Sequence, residues 1–201
     1  MTKRASVNQL GGDNGEDEFA AWISRAGLAA NKIKDYGIDF VCCQVPSREK
    51  IGFSYNMHGN IFLVSVRSTQ QSKNHVRLNR ADAELLLRAN CPMALGMVKR
   101  GGGKHPPSVA MRPLDGKFIE ELANFLGKSQ KSLTVNYKTG IEDPNEAVSK
   151  IRSQFNPVTW QKIHLLRERL QLANLITKPI INFNVTESGV LALVSELVPS
   201  V

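Results

Sequence analysis

The chain has 201 residues, 42% of them hydrophobic, which is enough for one full domain with a real core and argues against wholesale disorder. A formal net charge of +8 favours polyanionic partners, with nucleic acid first and an anionic membrane surface second. Cys42, Cys43 and Cys91 are a poor disulfide framework, the four histidines lack zinc-type spacing, and no apolar run reaches about 18 residues. The start of the chain has no apolar leader segment either, so a cytoplasmic protein with reduced cysteines is expected.

Residues 1–12 read as a flexible arm. Asp13 is a candidate helix cap, with Glu16 three residues later as its capping-box partner. The helix carries Phe19, Ala20, Ile23 and Ala26 at helical spacing, and Gly27 is a natural stop. An extended piece over 28–34 leads into the turn Asp35-Tyr36-Gly37. IDFVCCQV, 38–45, is a β-branched and apolar run of the kind that forms a buried strand. A long polar loop, 46–59, separates it from NIFLVSVRST, 60–69, the clearest strand in the chain.

Asn79 caps a helix through Leu85, Leu86 and Ala89 that ends near Cys91-Pro92. PMALGMV, 92–98, is a second buried strand, and Lys99 to Ser108 is a basic glycine-proline loop. Strand 109–114, helix 116–127 and strand 132–137 follow. Asp143-Pro144-Asn145-Glu146 combines a cap, a proline at the first position and an acid at the third, which starts a helix. Residues 158–174 are amphipathic and basic, the segment from 180 onward, which contains INFNV, is strand-like, and GVLALVSELV fits helix or strand. The order implies an α/β fold with a mixed central sheet flanked by helices. The domain is expected over 13–138, with 139–201 as a C-terminal α/β extension packed on it.

Three segments hold chemistry together: Gly15-Glu16, Asp35-x-Gly37-x-Asp39 and Ser65-Val66-Arg67. Glu16 shares a helix face with Phe19, Ala20 and Ile23, so it points to the core side. Ser65 and Arg67 lie two apart on a strand and face the same side, as do Ile61 and Leu63. A polar patch at the end of an apolar face needs partners, because an unpaired buried charge is costly. Two carboxylates and a cation meeting there satisfy one another.

The run GEDEFAAWISRAG, DYGIDFVCC and GNIFLVSVRSTQQ resembles the PD-(D/E)XK nuclease superfamily, over roughly residues 11–115. It is similar to small bacterial domains with a Gly-Glu helix, an Asp-x-Gly-x-Asp turn and a Gln-x-Lys strand. The resemblance implies a restriction-endonuclease-like core. It also implies a Mg²⁺ or Mn²⁺ ion that activates water beside the scissile phosphate, and roles in restriction, phage defence or mobile-element biology. By that resemblance Asp39 matches the metal-binding Asp and Glu16 the helix acid, with Ser65 and Arg67 in the remaining two catalytic positions.

Those two positions depart from the family pattern. Serine is a poorer Mg²⁺ ligand than a carboxylate, and arginine binds phosphate but cannot act as a base. Some restriction enzymes with Ser-Val-Lys on this strand take the missing acid from the next helix, and Asp82 or Glu84 would serve here. Each residue has a plainer role beside the functional one. Glu16 and Asp82 suit helix starts, Asp39 suits a turn, and Arg67 suits an ion pair with Asp39. Two functions therefore stand: a phosphodiester-cleaving or degenerate nuclease, and a catalytically silent binding or scaffold subunit.

Between residues 65 and 104 there are eight Lys or Arg and two acids, a net +6 beside the proposed site. Arg77, Arg80, Lys99, Arg100 and Lys104 are its candidate nucleic-acid contacts, with DNA favoured over RNA. The loop from Lys99 to His105 has no Walker pattern. The helix around Lys162, Arg167 and Arg169 reads as packed on the domain, and a homodimer or partner-protein contact is its alternative.

Overall fold

A computed structural model of the chain describes residues 7–33, 37–44, 62–90, 92–101, 105–155, 157–176, 181–185 and 191–194. Helix α1 spans Val7–Ser24, followed by strands β1 (Leu28–Lys32), β2 (Phe40–Gln44), β3 (Phe62–Gln70) and β4 (His75–Asn79). Helix α2 (Arg80–Arg88) and the short β5 (Ala89–Asn90) lead into β6 (Met93–Arg100) and β7 (Ser108–Pro113). After these come α3 (Gly116–Leu126), β8 (Ser132–Asn136), α4 (Pro144–Arg152), α5 (Pro157–Leu172), β9 (Ile181–Val185) and β10 (Leu191–Val194).

The expected class is the observed one: a mixed α/β architecture with a central five-stranded sheet of order β1-β2-β3-β6-β7. β3 and β6 pair in parallel while the other neighbours are antiparallel, so the chain crosses over between them through β4, α2 and β5. β4 pairs with β8 in a two-stranded ribbon, and β9 joins β5 to β10.

The sheet separates two apolar layers. On one face, Phe19, Trp22 and Ile23 of α1 pack on Phe40, Phe62, Val64 and Val66, joined by Ala147, Val148 and Ile151 of α4. On the other, α2, α3 and the ribbon close over Leu63, Leu95 and Met97, with Ile163 and Leu170 of α5 at the margin. Alternation along β3 accounts for this, since successive side chains point to opposite faces. α1 lies so close to β3 that a Cβ on Gly15 would come within 2.8 Å of the Ser68 Cβ.

Several expectations change. Residues 7–12 are helical, so the arm does not extend to residue 12 and Asp13 does not cap the helix. Two glycines make 7–12 weak on propensity; the segment prolongs a helix that packing of Phe19, Trp22 and Ile23 stabilises further along. Strand β4 was not anticipated. The ambiguous tail is extended over Leu191–Val194. The polar loop 46–59 lies outside the described residues.

Candidate functional site: an arginine between two aspartates

The cluster begins where the β2–β3 ladder stops. Backbone pairing runs from Cys42–Phe62 to Phe40–Val64. One residue further on, the Asp39 carboxyl takes over: its Oδ2 accepts the Val66 amide at 2.5 Å. The Asp39 main chain meanwhile bridges Ile33 and Val64, donating to the Val64 carbonyl at 3.0 Å. Asp39 is therefore anchored at the mouth of the sheet by both its backbone and its side chain.

Gly37 sets the approach. It holds φ at +70°, a conformation that favours glycine, and its carbonyl accepts the Ser65 hydroxyl at 3.2 Å. The same hydroxyl lies 3.4 Å from Asp39 Oδ2. Ser65 is buried, and its polar atom is spent on the turn and on Asp39.

Arg67 completes the group. Its Nη1 donates to the Val66 carbonyl at 2.7 Å and stands 3.5 Å from Asp39 Oδ2. Its Nη2 meets Asp82 Oδ1 at 2.6 Å. Asp82 has a second task. It forms a capping box with Asn79, its Oδ2 accepting the Asn79 amide at 2.9 Å while its own amide donates to Asn79 Oδ1. The planar fork of an arginine suits this bridging role, because it directs several donors in fixed directions.

Burial pushes the Asp39 carboxyl above its ordinary pKa, and the Asp82 charge adds slightly to that. The Val66 amide, the Arg67 guanidinium and the Ser65 hydroxyl pull it back without cancelling the effect of burial. An ion pair alone would suggest a lowered value; desolvation is the larger influence at this depth.

Asp39, Ser65, Arg67 and Asp82 thus come together. Glu16 forms its ion pair with Lys32 of β1 at 3.2 Å, where Asp17 joins it. Its capping role also disappears, since α1 starts nine residues before it. Glu84 lies two positions past Asp82, so it faces a different side of α2; its charge acts on Arg88, one turn on.

These residues do not suit a divalent metal as they stand. Mg²⁺ requires close octahedral oxygen coordination at about 2.0–2.1 Å. Here the space between the two carboxylates belongs to a guanidinium, and the third neighbour is a neutral hydroxyl. Among the described residues, no group of three or more His, Cys, Asp or Glu is placed to hold an ion.

The basic candidates divide. Arg80 donates to the carbonyls of Leu126 at 2.6 Å and Lys128 at 2.8 Å, closing the C-terminal end of α3. Lys99 reaches Asn74 Oδ1 at 2.9 Å and lies 4.1 Å above the Tyr137 ring. Arg100 is half-buried at the end of β6, while Arg77 is exposed on β4. Lys104 lies outside the described residues. Much of the charge expected on the surface beside the site is therefore engaged within the fold. Sequence reading missed three other exposed cations: Lys128, Lys131 and Lys138, which flank β8. Their signal was a stretch from 122 to 141 without a single acid.

No family model matches the chain, and no curated protein matches it. Among solved structures, the chain is similar to Hjc, a Holliday junction resolvase from Archaeoglobus fulgidus. The identity is 12%, the match covers 68% of this chain and 94% of that one, and the TM-score is 0.42.

Proposed function

We propose that this protein is a nucleic-acid-binding domain with a nuclease-like core that holds phosphodiester backbone without cutting it. The supporting observation is Arg67, whose guanidinium lies between Asp39 and Asp82 where the resemblance would put a metal ion. A permanent cation there repels a divalent one. At about 4 Å and an effective dielectric near 20 the repulsion is roughly 8 kcal/mol. The two carboxylates that could offset it are already paired with Arg67, and Ser65 supplies no third, its hydroxyl being committed to Gly37 and Asp39. Arg67 is itself engaged by the two aspartates, so attraction for phosphate comes from the cations around the cluster rather than from the cluster. The net charge of +8 adds a general attraction for polyanions.

The test is a pair of assays on wild type and Asp39→Ala: binding to DNA and RNA over a range of salt, and cleavage with Mg²⁺ or Mn²⁺. Salt-sensitive binding without cleavage is expected. Metal-dependent cleavage by wild type that disappears in Asp39→Ala would refute the proposal and restore the nuclease reading.

A further inference from the structure

We infer that the solvent face of the β4–β8 ribbon is the surface that receives duplex DNA. The inference rests on the nucleic-acid-binding reading above and gives that binding a place. The ribbon pairs His75 with Asn136, Arg77 with Thr134 and Asn79 with Ser132. The intervening residues Val76, Leu78 and Val135 are buried against α2 and α3, so one face is closed by the core and the other is open.

The open face is polar throughout. Arg77 stands at its centre, and the exposed cations Lys73, Lys131 and Lys138 flank it. Among the described residues, none of these four takes part in an ion pair. No Asp or Glu occurs in residues 71–81 or 122–141, the stretches that build the ribbon and its ends. Cations with no ion pair among the described residues are complementary to phosphate.

Shape selects the form of nucleic acid. Two paired five-residue strands make a ribbon about 17 Å long, and the major groove of B-DNA, about 12 Å wide, admits a two-stranded ribbon. The major groove of duplex RNA is too narrow for that. The side chains on offer, Arg, Asn, Ser and Thr, are those that pair with base edges and phosphate oxygens. An anionic membrane would gain charge contacts but no apolar anchor from this face. The ribbon also leads directly to the site, since Asn79 ends β4 and donates to Asp82, the partner of Arg67. DNA seated on the ribbon would lie beside the arginine.

The experiment measures binding of a short DNA duplex, the matching RNA duplex, single-stranded DNA and phosphatidylserine vesicles. Two triple variants are compared with wild type, and melting curves check that each is folded. Arg77→Ala/Lys131→Ala/Lys138→Ala strips the ribbon. Arg25→Ala/Lys150→Ala/Arg152→Ala removes the same charge from exposed positions on α4 and at the end of α1, across the sheet. The ribbon variant is expected to lose DNA affinity at least about tenfold, with the slope of log affinity against log salt shallower by roughly 3. The control should stay within about twofold of wild type, because charges beyond a Debye length are screened. Wild type that binds none of the nucleic acids would overturn the underlying reading. DNA binding by wild type that the ribbon variant retains, or that both variants lose equally, would overturn this inference alone. So would a preference for duplex RNA, single strands or vesicles.

Discussion

Replacing Arg67 by methionine keeps most of the side-chain volume and removes the charge that two aspartates share. In the folded protein Arg67 is 25% exposed, Asp39 20% and Asp82 17%. At an effective dielectric near 20, the separations of 2.6 and 3.5 Å correspond to gross attractions of about 6 and about 5 kcal/mol. Desolvation offsets most of that in the intact cluster, but it remains when the cation is deleted and the carboxylates are left facing each other. Breaking a buried ion pair from one side costs about 3–5 kcal/mol, and partial exposure argues for the lower end, about 3 kcal/mol. For a protein of this size that is a fall of roughly 6–12 °C in melting temperature. The loss should depend on pH. Near pH 7 the cluster needs the cation; acid protonates Asp39, whose carboxyl burial already pushes up, so the deficit should be smaller near pH 3 than near pH 7. Urea and thermal denaturation at the two pH values would measure this. A variant as stable as wild type at neutral pH, or a deficit unchanged in acid, would refute the electrostatic account of the cluster.

Asp39→Asn should gain stability relative to wild type as pH rises through the carboxylate range. Because burial raises the folded pKa of Asp39, the folded state keeps a proton there that the unfolded chain has released, so wild type loses stability across that interval and no further above it. Urea midpoints from about pH 3 to 7 would show the gap; movement in the opposite sense would mean that pairing with Arg67 outweighs burial. Arg80→Ala should lower stability by about 1 kcal/mol through loss of its bonds to the Leu126 and Lys128 carbonyls, while costing less DNA affinity than the ribbon variant does. Calorimetry and a binding titration on the same preparation would separate the two effects.

The geometry of Asp39, Ser65 and Arg67 was legible because it depends on local rules. Ser65 and Arg67 share a face by the period of a strand, and a polar patch at the end of an apolar run has to find partners. The helix-start role of Asp82 was legible in the same way, from Asn79 three residues earlier; its place at the site was one of two options, with Glu84, that the family resemblance offered, and its pairing with Arg67 was not anticipated. The C-terminal start at Asp143 was equally local, with its side chain accepting the Glu146 amide as expected. What the sequence could not show was commitment over distance. Arg80 reads as a surface cation until its partners, 46 and 48 residues away, are known. HVRLN has too few apolar residues to announce a strand alone, and its partner β8 lies beyond two helices and two longer strands. Glu16 was placed by a capping box that the helix does not use, because α1 begins further upstream than its propensities suggest.

Asp82 serves two structures with one carboxyl group: one oxygen steadies the first turn of α2 and the other restrains Arg67. This dual service makes the present state hard to leave by small steps. A change that released the aspartate toward an incoming cation would also loosen the helix start, and a change that removed Arg67 would expose two like charges before any ion was there to reconcile them. A route from this arrangement to metal chemistry would therefore require coordinated substitutions in β3 and at the start of α2. The intermediates along it would be less stable than either end, and that valley helps keep the domain where it is.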